Sequence, residues 1–216
     1  MSLPKLVAAL LSLAAVAAPL HAGQQITDSK DSKKVVLDDF PYKAGVTEIE
    51  LNVGGFGSIG TKGTPVRPDV GYAIGELRYG IMLSDIHGDG ILRGNFEFLG
   101  EVFGGGIFSG PGDALVGADI FLRYNFVQPQ SKIVPFIQVG GGGVYSDAAG
   151  DDPIQRNIGS DWSFVLEAEI GVRYHLSPRL AITTGVEYRH ISNADTADRN
   201  QGLNSLGGVI GVSWFY

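Results

Sequence analysis

Apolar and polar residues alternate with a period of two along most of the chain beyond residue 45. In WSFVLEAEIGVRYHL (162–176), one face carries Trp162, Phe164, Leu166, Ala168, Ile170, Val172 and Tyr174. The other carries Ser163, Glu167, Glu169, Gly171, Arg173 and His175. ALVGADIFLRYNF (114–126) sets Val116, Ala118, Ile120, Leu122, Tyr124 and Phe126 against Asp119, Arg123 and Asn125, with Phe121 as an apolar exception. RGNFEFLGEVF opposes Phe96, Phe98 and Val102 to Arg93, Asn95, Glu97 and Glu101, and the first segment opposes Ile49, Leu51 and Val53 to Glu48, Glu50 and Asn52. A period of two is that of an extended strand. Clusters of Gly, Pro, Asn and Asp divide the pattern into eight predicted strands, at roughly 46–57, 69–83, 92–108, 114–127, 132–146, 162–176, 179–193 and 205–216.

Alternation alone does not say which face is inside. The distribution of charge does. Glu76, Arg78, Arg93, Glu97, Arg123, Glu169, Arg173, Glu187 and Arg189 fall on polar faces at similar strand depths, where opposite charges can pair across a narrow lumen. The apolar faces end in Tyr and Trp, as membrane-interface girdles do. The predicted strands are also long for a small soluble sandwich. Links after strands 1, 5 and 7 are long, whereas those after strands 4 and 6 are tight; SGPGD, after strand 3, is short for this rhythm. The expectation is an all-β fold over 45–216, an eight-stranded antiparallel transmembrane β-barrel of the outer membrane, ending in the apolar-aromatic VSWFY. Side chains fill a barrel of this size, so it is not a diffusion pore. Function is expected on its loops, mouth or outer wall.

Composition sharpens this picture. Lys5 precedes the apolar run LVAALLSLAAVAAPL, and a small residue, Ala22, follows; residues 1–22 therefore read as a cleavable secretory signal peptide. Residues 23–44 read as a polar N-terminal arm. The 216-residue chain contains no cysteine, which excludes a thiol nucleophile and Cys-ligated metal. A net charge of −7 argues against nucleic acid. Glycine is abundant, 32 residues, yet hydrophobic residues make up 44%, which excludes a disordered linker composition.

Most tempting motifs have structural readings. GGGG at 140–143 lacks the Lys-Ser/Thr of a phosphate loop. DAAGDDP at 147–153 lacks the spaced ligands of a calcium loop. His87 falls in a predicted periplasmic link, His175 on the charged face, and His21 in the signal segment. His190 is different. Continuing the alternation of strand 7 puts His190 and Ser192 on the apolar, lipid-facing side, near the outer-leaflet boundary. Same-face neighbours lie roughly 6–7 Å apart at Cα, within reach of an imidazole and a hydroxyl. The phase of strand 8, carried back, adds Asn204 to the same wall. These residues either close a lipid-facing strand with polar groups at headgroup level or form a catalytic group.

HISNA (190–194) resembles the His-x-Ser-Asn-Ala motif of the PagL-type lipid A 3-O-deacylases, also called the acyloxyacyl hydrolase family. PFIQVGGGGVYS and the aromatic last strand extend the similarity, most clearly over 132–216. The resemblance implies an outer-membrane serine esterase that hydrolyses an acyl ester of lipopolysaccharide at the 3-position of lipid A, with lipid A and outer-membrane lipid as partners. It implies no metal or organic cofactor. His190 matches the family's general base and Ser192 its nucleophile. The family has an acidic residue fourteen positions after the histidine; here that position holds Asn204, with Asp195 and Asp198 as nearby acids. Asn193 and neighbouring backbone N–H groups are placed to serve the oxyanion. The rivals are a noncatalytic structural or adhesin-type barrel and a catalytically impaired family member.

Overall fold

A computed structural model describes residues 40–60, 69–151 and 157–216. The expected signal peptide, His21, most of the arm and the end of the 147–153 loop lie outside the described residues. The eight strands are β1 (Thr47–Ser58), β2 (Gly71–Met82), β3 (Asn95–Ser109), β4 (Ala114–Asn125), β5 (Ile133–Ser146), β6 (Trp162–Ser177), β7 (Leu180–Ser192) and β8 (Leu203–Phe215). They run antiparallel in sequence order and close into a barrel, β8 returning to β1 with Glu48 opposite Phe215. Closure removes every free sheet edge, which a strand protein in hydrocarbon requires. The eight-stranded antiparallel barrel of outer-membrane proteins is therefore the fold of this chain.

The alternation resolves as lumen against lipid. Ile170 and Ile210 are 71% and 55% exposed, and Val172 and Val212 lie half-buried on the same outer face. Glu167, Glu169, Arg173 and Arg189 are buried inside. Aromatic residues rim the outer face at both ends: Trp162 against Tyr145 at one, and Phe96, Tyr124 and Phe126 at the other. This apolar exterior between aromatic belts places the strands in a membrane.

The lumen is a layered core. In its middle, four guanidinium groups, Arg78, Arg123, Arg173 and Arg189, lie among nine buried carboxyl groups. Arg78 reaches Glu50 at 3.0 Å, Glu101 at 2.5 Å, and Glu169 and Glu187 at 2.9 Å. Arg173 pairs with Glu48. Phe121, the apolar exception in β4, points inward, with the Arg78 guanidinium 5.3 Å from its ring centroid. Arg93 does not join this layer. It precedes β3 and donates to the Val127 carbonyl at 2.6 Å, because the strand begins at Asn95, later than the pattern predicts.

Apolar clusters close both ends of the charged layer. Phe56, Tyr72, Phe103, Leu115, Val165, Ile191 and Leu203 pack at the long-link end. At the other end Tyr42, from the last residues of the arm, packs with Met82, Val134 and Phe215. The Tyr42 hydroxyl bonds His175 Nε2 at 2.7 Å, and burial holds that phenol well above its ordinary pKa, so it stays protonated. His175 thus has a structural role, as does exposed His87, which stacks on Phe96.

Candidate active site

Strand β7 leaves the barrel at its long-link end through Tyr188, His190 and Ser192 on the outer face, while Glu187, Arg189 and Ile191 point inward and are buried. The inward residues anchor the strand in the lumen network and so fix the direction of the outward ones. Arg189 is held by Glu76 at 3.1 Å and Glu101 at 3.2 Å. In the ladders His190 stands between Leu166 of β6 and Asn204 of β8, and Ser192 opposite Phe164. Phe164, Leu166 and Leu206 are exposed, so the polar group sits within an apolar wall.

Asn204, which is 7% exposed, places Oδ1 2.8 Å from His190 Nδ1. A carboxamide oxygen only accepts, so Nδ1 carries the proton and Nε2 keeps its lone pair. The Tyr188 hydroxyl donates to the same Oδ1 at 2.5 Å. On the far side of the ring lies Gly202, with φ +75°; a Cβ there would be 2.8 Å from His190 Cε1 and 3.5 Å from Nε2. Glycine at 202 therefore satisfies a left-handed backbone and leaves room for the imidazole.

The two alternative acids stand elsewhere. Asp195 accepts from the Asn200 amide at 2.8 Å, and Asp198 is exposed in the same link. Among the described residues neither bonds His190. Among them, too, no hydrogen bond joins His190 to Ser192. The structure thus brings His190 and Asn204 together and leaves Ser192 one same-face step beyond the imidazole.

Asn193 is buried and organises the link. Its N–H donates to Asn200 Oδ1 at 2.8 Å, its amide donates to the Arg199 carbonyl at 2.9 Å, and its carbonyl accepts from Thr196 Oγ1 at 2.7 Å. One amide hydrogen of Asn193 at most remains for a ligand. Ala194 and Asp195 follow with φ of 52° and 61°, a backbone state unusual for non-glycine residues and concentrated at functional sites. Sequence reasoning missed Tyr188 and Gly202. Tyr188 shares the outward phase of His190, but nothing in the spacing says its hydroxyl turns to the next strand.

A model of the lipid A 3-O-deacylase (PagL) family matches residues 76–213. A search of curated proteins returns no match. Among solved structures, the chain is similar to Neisserial surface protein A (NspA), with 16% identity, coverage of 80% of this chain and 99% of that one, and a TM-score of 0.56. The outer membrane enzyme PagL shows 16% identity, coverage of 76% and 97%, and a TM-score of 0.49. OprG from Pseudomonas aeruginosa shows 16% identity, coverage of 81% and 97%, and a TM-score of 0.48. The family match spans more than half of the chain and includes His190, Ser192 and Asn204, so this outer-membrane barrel belongs to the lipid A 3-O-deacylase (PagL) family.

Proposed function

We propose that the protein is a serine esterase of the lipid A 3-O-deacylase type, acting on lipopolysaccharide in the leaflet it is embedded in. The observation that carries this reading is the His190–Asn204 pair on the lipid-facing wall, with Ser192 two residues beyond His190 on the same face. The hydrogen bond that Nδ1–H donates to Asn204 Oδ1 leaves the Nε2 lone pair as the basic site. A substrate ester entering from the lipid side meets base and nucleophile without leaving the bilayer. A separation of roughly 6–7 Å between same-face Cα atoms in a strand lets the Ser192 hydroxyl turn to Nε2, and such contacts commonly tighten only with substrate bound.

In the proposed reaction Nε2 takes the Ser192 proton as Oγ attacks the ester carbonyl. The tetrahedral intermediate collapses, the imidazolium returns the proton to the departing sugar oxygen, and an acyl-serine remains. Water, deprotonated by the same Nε2, then releases a free fatty acid and regenerates Ser192. The remaining amide hydrogen of Asn193 and the N–H groups of Ala194 and Asp195 are the candidate donors to the oxyanion. Asn204 orients the imidazole but places no negative charge beside the imidazolium. Export through a signal peptide ending at Ala22, with the loop at 194–204 outside the cell, belongs to the same proposal.

A second reading, a barrel that binds at this wall without hydrolysis, is favoured by the missing His190–Ser192 bond and by the amide at position 204. Mass spectrometry of lipid A from cells making the wild-type or Ser192→Ala protein tests the two. Loss of one 3-linked acyl chain only with the wild type supports the esterase; unchanged lipid A in both supports the binder.

A further inference from the structure

The amide at position 204 creates a problem that a carboxylate would not. Both oxygens of a carboxylate accept, so either one enforces a proton on His190 Nδ1. A carboxamide has an accepting end and a donating end. With Oδ1 toward the ring, Nδ1 must carry hydrogen and Nε2 is a base. With Nδ2 toward the ring, Nδ1 must offer its lone pair, the hydrogen moves to Nε2, and the imidazole cannot take a proton from serine. The two amide orientations select opposite tautomers.

We propose that Tyr188 is a positioning residue that sets the tautomer of His190 by orienting Asn204. This rests on the esterase reading for its kinetic consequence and on geometry for its tautomeric one. Tyr188 lies two residues before His190 on the same outward face, half-buried, and its hydroxyl donates to Asn204 Oδ1 at 2.5 Å. His190 Nδ1–H converges on the same oxygen at 2.8 Å. Across its two ladders Tyr188 faces Ala168 and Leu206, neither with a polar side chain. If the amide turned over, the phenolic hydrogen would lose this acceptor, and neither ladder neighbour offers another. A half-buried donor that loses its partner among apolar neighbours is disfavoured. The phenol therefore holds the oxygen end of Asn204 where both donors meet it. In this site the tyrosine supplies the directionality that an acid would supply by its symmetry.

The test is a double-mutant cycle on the full-length barrel refolded in lipid A-containing vesicles, with the heat-modifiable gel shift verifying folding of each variant. In the native background Tyr188→Phe is expected to lower kcat by about tenfold or more with little change in KM. In an Asn204→Asp background, where both oxygens accept, the same substitution should change kcat by less than about twofold. Imidazole ¹⁵N NMR gives a readout independent of turnover: the wild type should show Nδ1–H, and Tyr188→Phe a mixture or the Nε2–H form. Equal losses in the two backgrounds, or an unchanged Nδ1–H tautomer in Tyr188→Phe, would overturn the inference. A wild type without deacylase activity defeats the esterase reading instead, and the NMR arm alone then decides the role of Tyr188.

Discussion

Asn204 stands directly opposite His190 in the β7–β8 ladder, and its carboxamide oxygen meets the imidazole Nδ1 at 2.8 Å. The contact spans a single hairpin, so the strands' register alone places it. The neutral partner orients the ring without stabilising its charged form. Asn204→Ala should therefore reduce deacylation by about tenfold, less than the 10²–10⁴-fold expected for His190→Ala, and Asn204→Glu should raise the rate above wild type. Steady-state rates on purified lipopolysaccharide check this order; equal and complete loss in Asn204→Ala and His190→Ala would contradict it.

Gly202 confines the other side of the ring. Gly202→Ala puts a methyl 2.8 Å from Cε1 on a backbone with φ +75°, so the imidazole must move. The expected result is a loss of activity on the order of tenfold to hundredfold in a barrel that still folds. Activity within about twofold of wild type would show that the ring has room to spare.

In the proposed function the lumen network carries stability and the outer wall carries the chemistry. Arg78 is fully buried among Glu50, Glu101, Glu169 and Glu187. Arg78→Met leaves those carboxylates without their shared guanidinium and should cost about 3–5 kcal/mol, read from urea unfolding in vesicles. Folded protein of this variant should keep an intact His190–Asn204 contact, because Arg189 still anchors β7 through Glu76 and Glu101.

The outer face makes the complementary prediction. Ile170, 71% exposed and far from either rim of β6, should tolerate Leu or Val, whereas Ile170→Arg should destabilise the barrel by about 2–4 kcal/mol. The same unfolding measurement checks it. A neutral effect would mean that this face does not meet lipid.

The strands were legible in the sequence because a barrel makes the period-two pattern do double duty. Glu167 and Glu169 inside, with Leu166 and Ile170 outside, follow from alternation once charge is assigned to the lumen. Arg93 departed from that logic because the polar–apolar pattern begins before Asn95, the first residue of β3. The apolar caps of the lumen, built on Phe56, Phe103 and Tyr42, were hidden because apolar residues on an inward face look like breaks in the pattern. At the site, the shared wall of His190, Ser192 and Asn204 was readable from phase. The choice of Asn204 over Asp195 was not, since it depends on the β7–β8 register and on Asp195 turning to Asn200. Tyr188 and Gly202 escaped for the same reason: their roles are contacts between strands and links, not spacings.

In the proposed reaction His190 and Ser192 form one catalytic unit on the lipid-facing wall. Lipid A mass spectrometry across wild type, Ser192→Ala, His190→Ala and the double variant tests it most directly, with the gel-shifted folded form verified for each. Loss of a 3-linked acyl chain is expected with wild type alone, and each single variant should be as inactive as the double, because nucleophile and base act together in the proposed reaction. Deacylation retained in Ser192→Ala, or losses that add between the two single variants, would contradict it.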